Sequence, residues 1–326
     1  MPRKILIALF LSLVIALSCH DISEKVKEKE NKAASKNEMP VSDYVASYVM
    51  GFSRCTFEDP WRINMNKEME KAARANRGVR LIITNSENRN AKQIADIENY
   101  LTMRVNVLIV SPCEAAPLTP AVAKAYDTGI PVIVLNRKID SDKYSVFIGA
   151  SNLEIGREAG KYMVEKLGGK GNIVEIEGSL GATPTQERSQ GFHELVDKEP
   201  GIKVVYKQPG DYKRYPARQV MENALQAHDK IDAVYAHNDE MMIGAYLAAK
   251  AAGREKNMVF VGIDGQKEAV DMIRQGILSA TFVYPNGAKE AIESALKILR
   301  GQKVEKQIQL STTRITKDEA KDYLGF

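Results

Sequence analysis

Arginine, asparagine, carboxylate and aromatic side chains recur along this chain, each time just after a short apolar run. The clusters are Ser53 to Arg62, Asn85 to Asn90, Ser111 to Cys113, Asn136-Arg137, Gly178 to Arg188, Gly210 to Tyr212, His237-Asn238-Asp239 and Asp264, with aromatics at Phe57, Trp61 and Tyr212. Such a mixture suits a neutral polyol. A hydroxyl both donates and accepts, a planar guanidinium or carboxylate binds vicinal hydroxyls in pairs, and an aromatic face covers C–H bonds. Helix capping and loop satisfaction explain any one of these residues, but they do not explain a set converging from two halves of a chain.

Reactive constellations are missing by comparison. There is no Gly-x-Ser-x-Gly elbow and no phosphate-cradling GxxxxGK[ST]. His237 stands at a strand end before a helix, where Asn238 or Asp239 serves as cap rather than as part of a catalytic group. The histidines at 20, 193, 228 and 237 are scattered, and Cys55 and Cys113 lie too far apart in sequence for metal-ligand spacing. The chain therefore reads as a binder with no cofactor and no metal, not as an enzyme.

The elements that must position these residues alternate. Tyr48–Ser53, Arg80–Thr84, Val105–Ser111 and Pro131–Leu135 read as strands, and Met65–Asn76, Ala91–Met103 and Thr119–Thr128 carry apolar residues at helical spacing. After Asn152 the pattern restarts. Helices Leu153–Leu167, Gln186–Lys198, Pro216–His228, Met241–Ala252, Lys267–Gln275 and Gly287–Leu299 interleave with strands Asn172–Glu177, Lys203–Lys207, Ala233–Ala236, Val259–Ile263 and Leu278–Val283. This is an α/β pattern of two doubly wound parallel sheets in succession. In such sheets ligands lie outside the carboxyl ends of the strands, where the polar clusters fall. Cys55 follows the first strand and Cys113 the third, usually neighbours in this class, so the spacing permits a disulfide; two separate thiols are the alternative.

The N-terminus has its own logic. Met1-Pro-Arg-Lys is followed by an apolar run from Ile5 to Leu17 and then Ser18-Cys19, the layout of an export signal. The run is shorter than the roughly twenty residues a membrane span needs. Cys19 resembles the lipidated cysteine of bacterial lipoproteins, although Ala16 and Leu17 depart from that family's usual pair. Ile22 to Met39 is dominated by Lys, Glu, Ser and Asn and reads as a solvated tether, so the folded body starts near Val45. A net charge of +4 on a chain of mixed sign gives no footprint for nucleic acid.

The segments VLIVSP, IPVIVLNR, FIGASNLEIGREAGKYM, ERSQGF, YAHNDEMMIGA, VGIDG and Gly276–Thr281, in this order and spacing, resemble type I periplasmic sugar-binding proteins, the ribose and galactose branch of ABC-importer receptors. GFSRCTFEDPWR and QPGDYKR are similar to motifs of galactofuranose-binding receptors. DNA-binding relatives of the fold carry a helix-turn-helix where this chain has its leader and tether.

The resemblance implies two lobes joined by a three-crossover hinge near Ala150-Ser151, Val283-Tyr284 and Leu310-Ser311. Residues 1–18 become a signal peptide and 19–44 the anchor cysteine and tether. Residues 45–150 with 284–310 become the N-terminal lobe, and 151–283 with 311–326 the C-terminal lobe. It assigns Trp61 to stacking on the sugar and Arg62 to its hydroxyls, Arg137 and Arg188 to donation from the two lobes, Asn238 to amide readout and Asp264 to the accepting carboxylate. Glu58 and Tyr212 occupy further contact positions.

A monosaccharide ligand, an ABC permease with its ATPase and a membrane reached through the lipid anchor are the implied partners of an exported monomer, on the periplasmic or extracellular face. A membrane sensor in place of the permease would leave the ligand site the same. Two departures bear on the ligand. Asn136 replaces the family's usual aspartate, and Phe282-Val283-Tyr284 replaces an acceptor near the last crossover. Arg62, Arg137 and Arg188 then face Glu58 and Asp264, one positive charge in excess, which leaves open an acidic or phosphorylated sugar.

Overall fold

The computed structural model describes residues 47–326; the leader, Cys19 and the tether lie outside the described residues. Strands β1 (Tyr48–Arg54), β2 (Val79–Asn85), β3 (Val107–Ser111), β4 (Val132–Leu135) and β5 (Val146–Ala150) are linked through helices α1 (Pro60–Arg74), α2 (Asn90–Thr102) and α3 (Ala115–Asp127). Every residue of β3, β4 and β5 is buried, as required of parallel strands covered on both faces. The second run is α4 (Asn152–Leu167), β6 (Lys170–Glu177), α5 (Thr183–Val196), β7 (Gly201–Pro209), α6 (Arg214–Ala227), β8 (Ala233–Ala236), α7 (Asp239–Ala251), β9 (Val259–Asp264), α8 (Lys267–Arg274) and β10 (Ala280–Val283). Helix α9 (Ala288–Leu299), β11 (Gln307–Leu310), β12 (Arg314–Ile315) and a single 3-10 turn (Glu319–Lys321) complete the chain.

The strands form two sheets, ordered β2-β1-β3-β4-β5-β11 and β7-β6-β8-β9-β10-β12. Pairing is parallel except where β12 runs antiparallel to β10. The protein is thus two α/β lobes. In each sheet the order reverses beside the first strand of its run, between β1 and β3 or between β6 and β8. These are the points where such sheets leave a crevice. The chain passes from one sheet to the other after β5, after β10 and after β11.

Helices α4 and α5 approach backbone to backbone. A Cβ on Gly156 would lie 2.3 Å from the Arg188 carbonyl oxygen, and one on Gly191 2.1 Å from that of Leu153. Glycine at both positions lets α5 seat Arg188 deep in its lobe. The register of β1 on β3 places Arg54 beside Ser111, and just beyond it Cys55 and Cys113 are joined in a disulfide with Cα atoms 4.7 Å apart. That settles the pairing that the sequence left open.

Three strands had no counterpart in the sequence reading: β5, β11 and β12. The last two are short edge strands; β11 alternates exposed and half-buried residues and β12 has only two residues. Three helices also begin three or more residues earlier than their apolar periodicity indicated. Helix α1 starts at Pro60 rather than Met65, α3 at Ala115 rather than Thr119, and α5 at Thr183 rather than Gln186.

Candidate functional site

The early start of α1 shapes one wall of a cavity between the lobes. Asp59 caps the helix, accepting from the Arg62 N–H at 2.8 Å, and Pro60 supplies a first-turn residue that needs no partner for its nitrogen. The same carboxylate pairs with Arg62 Nε at 2.9 Å, and another guanidinium nitrogen of Arg62, Nη1, is buried without a protein partner. Trp61 donates from Nε1 to the Tyr284 carbonyl at 2.6 Å, and its ring centroid lies 5.4 Å from that of Tyr284.

Asn136 and Arg137 leave the end of β4. Arg137 Nη1 donates to the carbonyls of Pro112 (3.2 Å) and Cys113 (2.7 Å), and the guanidinium lies 5.5 Å from the Tyr212 ring centroid. Burial, then the neighbouring Arg62 charge, pulls its pKa down to about 9. Asn136 donates from Nδ2 to the Asn286 carbonyl at 3.1 Å, and this leaves Oδ1 buried and unpartnered.

The opposite wall comes from the second lobe. Arg188 donates from Nε to Asn152 Oδ1 at 2.9 Å and from Nη1 to the His237 carbonyl, and it lies over the Tyr284 ring at 4.6 Å. Asn238 caps α7 through the Met241 N–H (3.0 Å) and donates to the Tyr212 carbonyl at 3.2 Å. Tyr212 shares a hydrogen bond of 2.7 Å with Thr185 Oγ1. Asp264 ends β9, and its carboxylate makes no hydrogen bond among the described residues while remaining almost wholly buried. Burial, and next the nearby Asp239 charge, raise its pKa well above the usual carboxylate range against the pull of Arg188.

Asn136 (φ 63°), Tyr212 (φ 61°) and Asp264 (φ 134°) all hold positive φ. Side-chain-bearing residues rarely accept such conformations except where the surroundings enforce them, commonly at binding sites.

Eight of the nine residues read as ligand contacts line this one cavity: Trp61, Arg62, Asn136, Arg137, Arg188, Tyr212, Asn238 and Asp264. Glu58 does not. Its side chain is 63% exposed and pairs with Lys213 at 2.9 Å at the mouth of the cleft, because the helix cap turns Asp59, one residue later, toward Arg62. Asp59, Ser111, Pro184 and Tyr284 line the cavity without having been read as ligand contacts. The Asp-Pro pair before an apolar helix was a usable signal for Asp59. Tyr284 had been read as a crossover residue and a lost acceptor, yet it also supplies a ring on which Arg188 rests.

With Asp59 in place of Glu58 the excess of one positive charge persists. Arg54 sits behind the wall, fully buried, donating to the Arg62 carbonyl at 2.8 Å and lying 4.8 Å from the Phe57 ring centroid. The lobes also touch at the rim. Ala115 N–H donates to the Gly181 carbonyl (3.1 Å), Lys138 N–H to Thr183 Oγ1 (3.0 Å), and Lys138 Nζ pairs with Glu187 (2.6 Å).

What the arrangement can do is bind. Oriented donors on Arg62, Arg137 and Arg188 face acceptors on Asp264 and Asn136 across aromatic faces. Among the described residues no group of His, Cys, Asp and Glu could hold a metal ion, and no helix is long and apolar enough to cross a membrane.

Known proteins share this architecture. The ribose import binding protein of Bacillus subtilis (strain 168) is 33% identical, over 94% of this chain and 97% of its own length. The galactofuranose-binding protein of Escherichia coli (strain K12) is 32% identical over 86% of this chain and 91% of its own. Among solved structures, the fructose-binding periplasmic domain of a hybrid two-component system is 43% identical, covers 84% of this chain and 92% of that domain, and superposes with a TM-score of 0.82. The family model for the periplasmic binding protein domain matches residues 50–303, and the chain belongs to that family.

Proposed function

We propose that the protein is an exported receptor that captures a monosaccharide in the cleft between its lobes and delivers it unchanged to an ABC permease. The observation that carries this reading is the cavity itself. Three arginines, an unpaired carboxylate and an unpartnered amide oxygen converge there with Trp61, Tyr212 and Tyr284. Buried polar groups left without partners cost free energy, and a polyol that meets them all recovers it. A site of this kind rejects analogues that lack one hydroxyl.

The ligand we favour is a neutral sugar in furanose form, in keeping with the galactofuranose-binding and fructose-binding relatives and with the Trp61-Arg62 pair. Binding is by hinge closure, with the three passages of the chain between sheets as the hinge. The lobes are residues 45–150 with 284–310 and 151–283 with 311–326, acting as a monomer. Cys19 carries the lipid anchor, and Cys19→Ala is expected to release the protein from membranes; a mature N-terminus mapped elsewhere would remove the anchor and leave only export.

A second reading has its own support. The 43% identity to the sensor's periplasmic domain favours presentation of the sugar to a membrane signalling protein. Calorimetry with galactose, ribose, fructose and their uronic or phosphorylated forms, together with native mass spectrometry of co-purified ligand, tests the binding claim. If only acidic forms bind, the neutral-sugar reading is wrong. Sugar uptake in cells lacking the protein separates permease delivery, which the deletion abolishes, from sensing, which alters transcription first.

A further inference from the structure

His237 is fully buried, does not line the cavity, and has no part in the reading above. It stands where the second sheet reverses order, one residue past β8 and beside the end of β6. Its ring is held at both nitrogens. Nε2 lies 3.1 Å from Glu175 Oε1, a carboxylate that can only accept, so this nitrogen carries the proton. Nδ1 then accepts from the Gly178 N–H at 3.4 Å.

Both ends of that link reach the ligand wall. The His237 carbonyl accepts from Arg188 Nη1. Gly178 is the platform for Tyr212: a Cβ there would fall 2.0 Å from the ring carbon Cζ. We propose that His237, locked as the Nε2–H tautomer by Glu175, is a positioning residue that sets Arg188 and Tyr212 at once for the sugar. The inference rests on the sugar-binding reading for its affinity arm and on the tautomer alone for its other arm.

The buried Glu175 is otherwise hard to explain, since a wholly enclosed carboxylate is costly unless fully partnered. Here its second oxygen takes His193 Nε2 at 2.8 Å and Lys207 Nζ at 3.3 Å. The charged and titratable groups around the pair are Glu177 on β6, Lys207 on β7, and Arg188 and His193 on α5. His193 is backed by Asp197 at 2.9 Å, and the Tyr235 ring from β8 lies 5.1 Å from that of His237. Burial holds His237 below its ordinary pKa although Glu175 pulls the other way, so the ring stays neutral. Burial would raise Glu175, but the hydrogen bonds from His193 and His237 outweigh it and keep the carboxylate ionised.

The experiment compares wild type, His237→Ala and His237→Asn. Nitrogen-15 NMR of the unliganded wild type should show His237 as the neutral Nε2–H tautomer at neutral pH, still neutral on acidification where an ordinary histidine has begun to titrate. Calorimetry with galactose, ribose and fructose should show His237→Ala weakening whichever sugar binds by about tenfold or more, the scale of one charged hydrogen bond to the sugar misplaced when the ring no longer holds Gly178 and the strand end. His237→Asn, whose Oδ1 replaces Nδ1 as acceptor for Gly178, should recover most of that loss even though it cannot reach Glu175.

Wild-type affinity in a folded His237→Ala, or an alanine and an asparagine variant weakened equally, overturns the positioning role. So does an Nδ1–H tautomer or titration at an ordinary histidine pKa. If His237→Ala does not fold, His237→Asn and the tautomer decide. If wild type binds none of the sugars, the functional reading fails, while the tautomer still judges this one.

Discussion

Asp264→Asn should weaken sugar binding and stabilise the empty protein. The Asp264 carboxylate accepts no hydrogen bond among the described residues, so in the free receptor its burial is compensated only by the fields of Arg188 and, less, Arg62. If it accepts from two sugar hydroxyls, each charged bond is worth about 1.5–3 kcal/mol against about 0.5–1.5 for a neutral one. The asparagine therefore loses about 2–3 kcal/mol over the pair, or roughly 30- to 150-fold in Kd.

Stability moves the other way. A carboxyl whose folded pKa lies above its unfolded value binds a proton that the unfolded chain has given up. Stability of the empty protein thus falls as pH rises from the ordinary carboxylate pKa through the raised one. Asparagine removes that fall, so the variant's melting temperature should exceed wild type most clearly above the raised value. Hydroxyls donating to Asp264 favour its ionised form, so below the raised pKa binding expels a proton and affinity climbs with pH. In the variant that component of the climb disappears. Calorimetry in buffers of different ionisation enthalpy measures the proton, and thermal scans with and without sugar measure the rest. A variant that binds within about threefold of wild type, less than 1 kcal/mol, or that melts lower at alkaline pH, refutes the assignment.

Other perturbations address neighbouring features. Replacing both Cys55 and Cys113 by serine opens a loop closed over 58 residues, a chain-entropy loss of about 4 kcal/mol. The melting temperature under non-reducing conditions should drop by roughly 8–16 °C, and an unchanged value would mean that the bridge does not form in the exported protein. Asn136→Asp loses the Nδ2 bond to the Asn286 carbonyl but neutralises the surplus positive charge. Binding of a neutral sugar should persist or tighten while that of an acidic one weakens about tenfold; the reverse order in calorimetry would favour an acidic ligand.

The fold was legible in most strands buried on both faces, although the fully buried β5 was passed over. Val107–Ser111 and Val132–Leu135 are continuous apolar runs, and no other element type accommodates them so briefly. The edge strand β11 was not legible, because it buries little and its sequence QIQL alternates too weakly to stand out, whereas the edge strands β2 and β7 were read. Helix starts failed for one shared reason. Helices α1, α3 and α5 carry prolines at 60, 117 and 184, and periodicity counted from the first apolar stripe passes over a proline-bearing opening turn. Proline is well placed there, since its fixed φ suits the turn and its missing N–H would have had no intrahelical partner.

Those misplaced turns bear directly on the site. Trp61 and Arg62 were read as loop residues, but as members of a capped first turn they are held rigidly, with Arg62 tied to Asp59 twice. Rigidity of this kind lowers the entropy lost when a ligand binds. Asp59, beside Glu58, was passed over although it lines the cavity, because composition does not reveal where a cap turns the chain. Asp264, Arg188 and Arg137 were readable because the strand-end rule concerns backbone position and needs no knowledge of partners. His237 was visible at the same strand end and was set aside as non-catalytic. Its partner Glu175 lies inside β6, in the middle of NIVEIE, where a buried carboxylate leaves no mark in a one-dimensional pattern. Strand-end residues thus announce themselves by place, whereas a buried partner such as Glu175 is found only once the strands are laid side by side.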